Sequence, residues 1–313
     1  MEEPIELERL LGGDERALAR AISLVEDRDP RARGLIEQVF PHTGGAYRLG
    51  ITGPPGVGKS TLVDRLVPGL LADHRRIGIL ACDPSSPFSQ GALLGDRIRM
   101  RSLAREEGVF IRSMATRGAL GGLARAAFEA SLLLEAAGFG LIIFETVGVG
   151  QAEVEIVEAA DTVIVVLTPQ SGDAIQAMKA GLMEIADILV VNKADLGGAD
   201  AALQNLESAL SLAPREWKPP VIRAAAEKGE GIPELKRAID RHRLYLEGGP
   251  LSERRRARLR DFLRRIIAEE LERRLWEGQG PAALDRKAEE LLARRASPYQ
   301  MAEELLKELR LAL

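Results

Sequence analysis

Cysteine is nearly missing from this chain of 313 residues. Cys82 stands alone, so no internal disulfide can form, which fits a reducing compartment. Aromatic residues make up 4%, too few for base-stacking platforms or a large aromatic cofactor box. The only histidines, His42, His74 and His242, are scattered. That scatter speaks against a His/Cys metal centre of the kind a nickel-inserting protein needs. Positive charge is not in excess either. The 43 Lys and Arg against 47 Asp and Glu leave a net charge of -4, so nucleic acid is not the expected partner. The most apolar runs, Leu141–Phe144 and Thr162–Leu167, are too short to span a bilayer. The acidic opening residues hold no apolar signal core, so a cytoplasmic rather than a secreted or membrane location is expected.

What is present is an ordinary globular balance, 46% hydrophobic and 29% charged. From Ile5 to about Phe40 apolar residues recur at helical spacing, with Asp14 or Gly13 starting a second helix and Asp29-Pro30 breaking it. Short apolar runs then alternate with helical stretches, the pattern of a parallel sheet covered on both faces. The expected strands are Tyr47–Thr52, Ile77–Cys82, Phe110–Ser113, Leu141–Glu145, Thr162–Leu167, Ile188–Asn192 and Val221–Arg223. Helices are expected at Ser60–Leu71, Leu123–Ala137, Ile175–Ile185, Asp200–Leu212 and Ile232–Glu247, and a partly helical polar stretch at Gly91–Arg105. After Gly248-Gly249-Pro250 the chain turns charged and helical, over Ser252–Glu277, Pro281–Arg295 and Pro298–Leu311. In the first of these segments Leu259, Phe262, Leu263, Ile266, Ile267 and Leu271 form an apolar stripe. The expected division is a helical extension (1–45), a nucleotide-binding domain (46–248) and a helical C-terminal arm (249–313) for dimerisation or partner binding.

The strongest chemical signal is Gly53-Pro54-Pro55-Gly56-Val57-Gly58-Lys59-Ser60, followed by Thr61. It matches G-x-x-x-x-G-K-[ST] and lies where the chemistry needs it, after an apolar strand and before a helix. Glycines let backbone N–H groups turn inward around phosphate oxygens, and the helix N-terminus adds its positive end. Lys59 supplies a point charge to the β- and γ-phosphates, and the Ser60 hydroxyl is a ligand for Mg²⁺. The expected fold is therefore α/β of the P-loop NTPase type, with a mostly parallel sheet flanked by helices and helical terminal extensions. Asn192-Lys193-Ala194-Asp195 follows the apolar run Ile188–Val191. A carboxylate here can accept from N1–H and the exocyclic amine of guanine, whereas adenine would leave it desolvated and unpaired. Lys193 is expected over the purine, with Asn192 tying this loop to the phosphate loop. Asp83 and Glu145 close two strands and are assigned to the Mg²⁺ shell, directly or through water. Glu145-Thr146-Val147-Gly148 follows the D-x-x-G pattern of a switch that offers the Gly148 N–H to a γ-phosphate, with Glu in place of Asp. Val149 stands where signalling GTPases carry a water-orienting Gln, and Gln151 comes two residues late, so slow intrinsic hydrolysis is expected.

These motifs, together with Asp83-Pro-Ser-Ser86, Gly95–Met100, Thr116-Arg-Gly118, Leu120-Gly-Gly122 and Ser297-Pro-Tyr299, occur in one order over nearly the whole chain. In that order the chain resembles the MeaB/ArgK family, G-protein chaperones of methylmalonyl-CoA mutase and related adenosylcobalamin-dependent acyl-CoA mutases. The resemblance implies a homodimer that uses GTP to gate delivery of intact adenosylcobalamin, with no tightly bound B12 of its own. It also implies switches at 83–100, 145–155 and 172–181. From the residues alone, Gln176 and Lys179 fit an exposed helix face, but the resemblance places them at the nucleotide when a partner engages. One departure stands out. The guanine-supporting loop usually reads Ser-Ala and here reads Ala225-Ala226, whose backbone N–H groups are expected to serve guanine O6 instead. Some family members are labelled transport kinases for arginine or ornithine, a reading that Asp195 opposes. Two other readings stand beside it, a regulatory GTPase without a cofactor role and a nickel metallochaperone.

Overall fold

The computed structural model describes residues 6–83, 100, 102–115, 122–146, 148, 159–169, 182–211, 216–276, 280–294 and 296–308. Helices α1 (Leu7–Leu11), α2 (Glu15–Glu26) and α3 (Pro30–Val39) lead in. Asp14 caps α2 by accepting from the Arg16 and Ala17 amides, and Asp29 caps α3 with Pro30 in its first turn. The body then runs β1 (Tyr47–Thr52), α4 (Lys59–Leu71), β2 (Ile77–Asp83), β3 (Val109–Ala115), α5 (Gly122–Ala136), β4 (Leu141–Thr146), β5 (Thr162–Leu167), α6 (Leu182–Ile185), β6 (Ile188–Val191), α7 (Ala199–Ser211), β7 (Val221–Arg223) and α8 (Ile232–Glu247). Helices α9 (Pro250–Trp276), α10 (Gly280–Leu292) and α11 (Pro298–Glu308) follow.

The seven strands form one sheet in the order β3-β2-β4-β1-β5-β6-β7, with every pairing parallel. Chain order reverses at β1, so the crevice for a ligand lies beyond its carboxyl end. Alternation along the strands sends side chains to opposite faces. Leu49, Ile51, Ile79, Ile143, Ile164 and Val190 share a core with Leu62 and Leu66 of α4 and Leu235 and Ile239 of α8. The other face packs on α5, which in turn carries α2 and α3.

Boundaries differ from expectation where a single residue changes role. The Gly248-Gly249-Pro250 break is only two residues long, because Pro250 opens α9 rather than following a linker. Strand β6 ends at Val191; the Asn192 amide still donates to the Leu167 carbonyl of β5 at 2.8 Å, and Lys193 then turns left-handed (φ 57°). Of the helix expected at Ile175–Ile185, only Leu182–Ile185 falls within the described residues. The Gly91–Arg105 stretch is described only at Met100 and from Ser102, with one 3-10 turn at Leu103–Arg105. The chain divides into two compact units, residues 1–254 and 255–313, and α9 begins in the first.

The amino ends of the strands are fixed by buried ion pairs. Arg48 Nη2 donates to Glu135 Oε2 at 2.8 Å, with the side chains 8% and 5% exposed. The other carboxylate oxygen, Oε1, accepts from the Gly44 and Ala46 amides at 2.5 and 2.7 Å. Asp187, just before β6, receives the Val163 N–H and both terminal nitrogens of Arg254. Burial pushes the Asp187 carboxyl up, but the contacts from His242 and Arg254 outweigh it and hold it below its ordinary value. Glu135→Ala is expected to destabilise by about 3–5 kcal/mol, because it strands a buried guanidinium and two amides. Urea unfolding would read this as a lowered midpoint. The paired change Arg48→Met with Glu135→Leu should regain the guanidinium's share of the loss but not that of the two amides, and a single variant as stable as wild type would refute the assignment.

Candidate nucleotide site

The phosphate loop joins β1 to α4, and three of its glycines have positive φ: Gly53 (148°), Gly56 (77°) and Gly58 (93°). Two are also required by close approach. A Cβ on Gly53 would strike the Val166 carbonyl of β5, and one on Gly58 would sit 2.6 Å from Asn192 Nδ2. Helix α4 has 13 residues and no side chain caps its start, so its first amides face the loop. Lys59 is buried, and its ammonium donates to the Gly53 and Pro54 carbonyls at 2.7 and 2.9 Å, which holds the charge inside the loop's curve.

Ser60 Oγ donates to Glu145 Oε1 at 2.5 Å. A hydroxyl and a buried carboxylate thus meet at the strand ends beside the loop. This pair of hard oxygen donors fits Mg²⁺, which takes few carboxylates and completes its shell with water and phosphate. Asp83 ends β2 beside β4, in register with Ala115. Its side chain lies outside the described residues.

Two threonines that sequence reasoning passed over hold the Gly148 carbonyl. Thr52 Oγ1 donates to the Gly148 carbonyl at 3.2 Å, and Thr146 Oγ1 lies 3.0 Å from Thr52 Oγ1 and 3.3 Å from the same carbonyl. The available signal was a threonine closing each of two apolar strands that pair in the sheet. Val149, Gln151, Gln176 and Lys179 lie outside the described residues, as does Thr116-Arg-Gly118.

The third side of the site follows β6. Asn192 Nδ2 donates to the Val57 carbonyl at 2.8 Å, and Asn192 Oδ1 accepts from the Ala226 amide at 3.0 Å. One buried amide therefore fastens the phosphate loop to the loop after β7. Lys193 uses its left-handed backbone to lay its ammonium on the Gly56 carbonyl at 2.7 Å. Asp195 Oδ2 lies 3.0 Å from the Lys228 ammonium, which holds its carboxyl below the usual range, aided by its own backbone amide. The Ala225 amide donates to the Glu230 carbonyl and the Ala226 amide to Asn192 Oδ1, so either would serve a guanine oxygen only by sharing or leaving that partner. Among the described residues the Glu227 amide, in the middle of the 3-10 turn Ala226–Lys228, has no hydrogen-bond partner.

The family model described as methylmalonyl Co-A mutase-associated GTPase MeaB matches residues 18–280. The chain belongs to this family. A Pyrococcus abyssi protein is 48% identical over 97% of this chain and 95% of its own length. GTPase ArgK of Escherichia coli is 39% identical, covering 85% of this chain and 82% of its own. The mouse mitochondrial methylmalonic aciduria type A homolog is also 39% identical, over 72% of this chain and 59% of its own. Among solved structures, a LAO/AO transport system kinase superposes with a TM-score of 0.74 at 31% identity, covering 97% of this chain and 96% of that one. This member of the MeaB family is accordingly a P-loop GTPase, and the fold expected from its motifs is the fold it has.

The two glycines separate backbone strain from the Asn192 contact. Both Gly56 and Gly58 are left-handed, yet a Cβ on Gly56 meets nothing within 4 Å. Gly58→Ala is expected to weaken GTP binding by roughly tenfold or more, and Gly56→Ala by clearly less, since a left-handed alanine alone costs about 1–2 kcal/mol. Calorimetric titration of both variants checks this, and equal losses would show that Asn192 does not constrain the loop.

Proposed function

We propose that this GTPase works as a chaperone for an adenosylcobalamin-dependent acyl-CoA mutase of the methylmalonyl-CoA type, binding and hydrolysing GTP to gate cofactor loading. The observation that carries the reading is the match to the mutase-associated family over residues 18–280. The site supports the nucleotide half of it. The loop Gly53, Pro54, Pro55, Gly56, Val57, Gly58 wraps the phosphates, while Lys59, Ser60 and Thr61 meet them from the start of α4. Mg²⁺ held by Ser60, by Glu145 and, directly or through water, by Asp83 supplies charge neutralisation on the β- and γ-phosphates. Asn192 keeps the two loops at a fixed separation, Lys193 covers the purine, and Asp195 accepts from the guanine edge. The Gly148 amide serves the γ-phosphate.

Val149 has no atom that can orient an attacking water, so the chain alone turns over slowly. Gln176 and Lys179 enter the reaction when the client binds. The arm beyond Arg254 suits a homodimer or client contact. Leu259, Leu263, Ile267 and Leu271 lie four residues apart on α9 and are 43%, 57%, 51% and 40% exposed in the single chain. Among the described residues no three His, Cys, Asp or Glu side chains gather as a metal cluster, and Cys82 and His242 are buried. No helix among them is long and apolar enough to cross a membrane.

Two experiments test the proposal. Asp195→Asn should shift preference from GTP toward XTP in competition binding, and strict retention of GTP would count against guanine reading by Asp195. Adding a methylmalonyl-CoA mutase should raise the GTPase rate of wild type and much less that of Lys179→Ala. No stimulation of wild type would remove the client, and equal stimulation of both would remove Lys179.

A further inference from the structure

The turn after β7 places a cation on the residue that the base site depends on. Lys228 Nζ lies 3.0 Å from Asp195 Oδ2, with the side chains 55% and 27% exposed. The turn is itself fixed, since the Lys228 amide donates to the Ala225 carbonyl at 2.9 Å. Other basic residues nearby are directed elsewhere. Lys193 reaches the Gly56 carbonyl, Arg65 the Glu227 carbonyl at 3.1 Å, and Arg223 the Asp200 carboxylate at 2.8 Å. Nothing in the phosphate-loop or N-K-x-D patterns calls for a lysine at this position.

We infer that Lys228 sets the affinity of the base site, as a built-in competitor for the Asp195 carboxylate that guanine would use. The inference rests on the reading of Asp195 as the guanine acceptor. A carboxylate offers about four lone-pair positions, so guanine and Lys228 can share it, but an ammonium already bonded to one oxygen draws its charge away. Each donor on the guanine edge then gains less than it would from an unshared carboxylate. The effect belongs to the base rather than the phosphates. Hypoxanthine, which lacks the 2-amine, presents one donor fewer and loses less to the competition. An exposed ion pair is weak, so the change is modest and shrinks with added salt.

The test uses the full chain with Lys228→Met, which keeps the stem and removes the charge. GDP and IDP are titrated in the presence of magnesium, and release of a fluorescent GDP analogue is timed. Lys228→Met should bind GDP roughly two- to fivefold more tightly, the range open to an exposed pair. Release should slow to match, IDP should gain less, and Lys228→Arg should stay near wild type. On an Asp195→Asn background, Lys228→Met should change nothing, because the partner is gone. Unchanged or weaker GDP binding by Lys228→Met would overturn the inference, as would an equal change for GDP and IDP. If Asp195→Asn alone still prefers GDP to XDP, the guanine reading itself fails and this inference falls with it.

Discussion

The site depends on the side-chain amide of Asn192. Its nitrogen holds the phosphate loop at Val57 and its oxygen holds the loop after β7 at Ala226, at 2.8 and 3.0 Å. Both contacts are buried, so losing either partner would leave a polar group unsatisfied at about 1–3 kcal/mol. The same amide explains Gly58, because its nitrogen passes where a Cβ would stand. The phosphate loop and the loop after β7 are thus two ends of one constraint.

The sheet makes that constraint possible. β1, β5 and β6 are consecutive neighbours, so the phosphate loop and Asn192 leave the same edge two strands apart. The opposite edge is built differently. There Arg48–Glu135 and Asp187–Arg254 are ion pairs with one or both members buried, each carboxylate using both oxygens. At the carboxyl edge the polar contacts are of another kind: lysine on backbone carbonyls, hydroxyl on carboxylate, and lysine on a half-exposed aspartate. Lys59 and Glu145 are buried charges, so they can change partners only where a ligand group replaces the one given up, whereas Lys228 and Asp195 are open to water. One edge is stiff and the other can exchange partners, as a nucleotide switch requires.

Much of this was legible beforehand because it is local. Seven apolar runs marked seven strands, and G-x-x-x-x-G-K-S carries its own context of strand and helix. Asp29-Pro30 looked like a break and is a cap followed by a first-turn proline, both written in adjacent residues. The features that escaped are contacts between segments far apart in the chain. Thr52 and Thr146 meet over Gly148 only because β1 and β4 are neighbours. The Ala225 and Ala226 amides were assigned to a ligand from a motif alone. The fold also gives them partners of their own in Glu230 and Asn192, which the motif does not reveal. Lys228 reads as one more charged loop residue until the turn brings it to Asp195.

The root of the C-terminal arm and the base loop stand at two ends of one strand. Arg254, in the first turns of α9, grips Asp187 with two nitrogens at 2.7 and 2.9 Å. The Asp187 carbonyl also accepts the Trp217 indole, and its carboxylate takes the Val163 amide at the foot of β5. Next comes β6, four residues long, and after it Asn192. Four residues of strand span only about 13 Å and have little freedom to bend when both neighbours are hydrogen-bonded. Hydrogen bonds to β5 and β7 fix this strand on both sides. Arg254 is thus joined through Asp187 to a short strand, hydrogen-bonded on both sides, whose far end carries Asn192, the residue that ties the phosphate loop to the loop after β7.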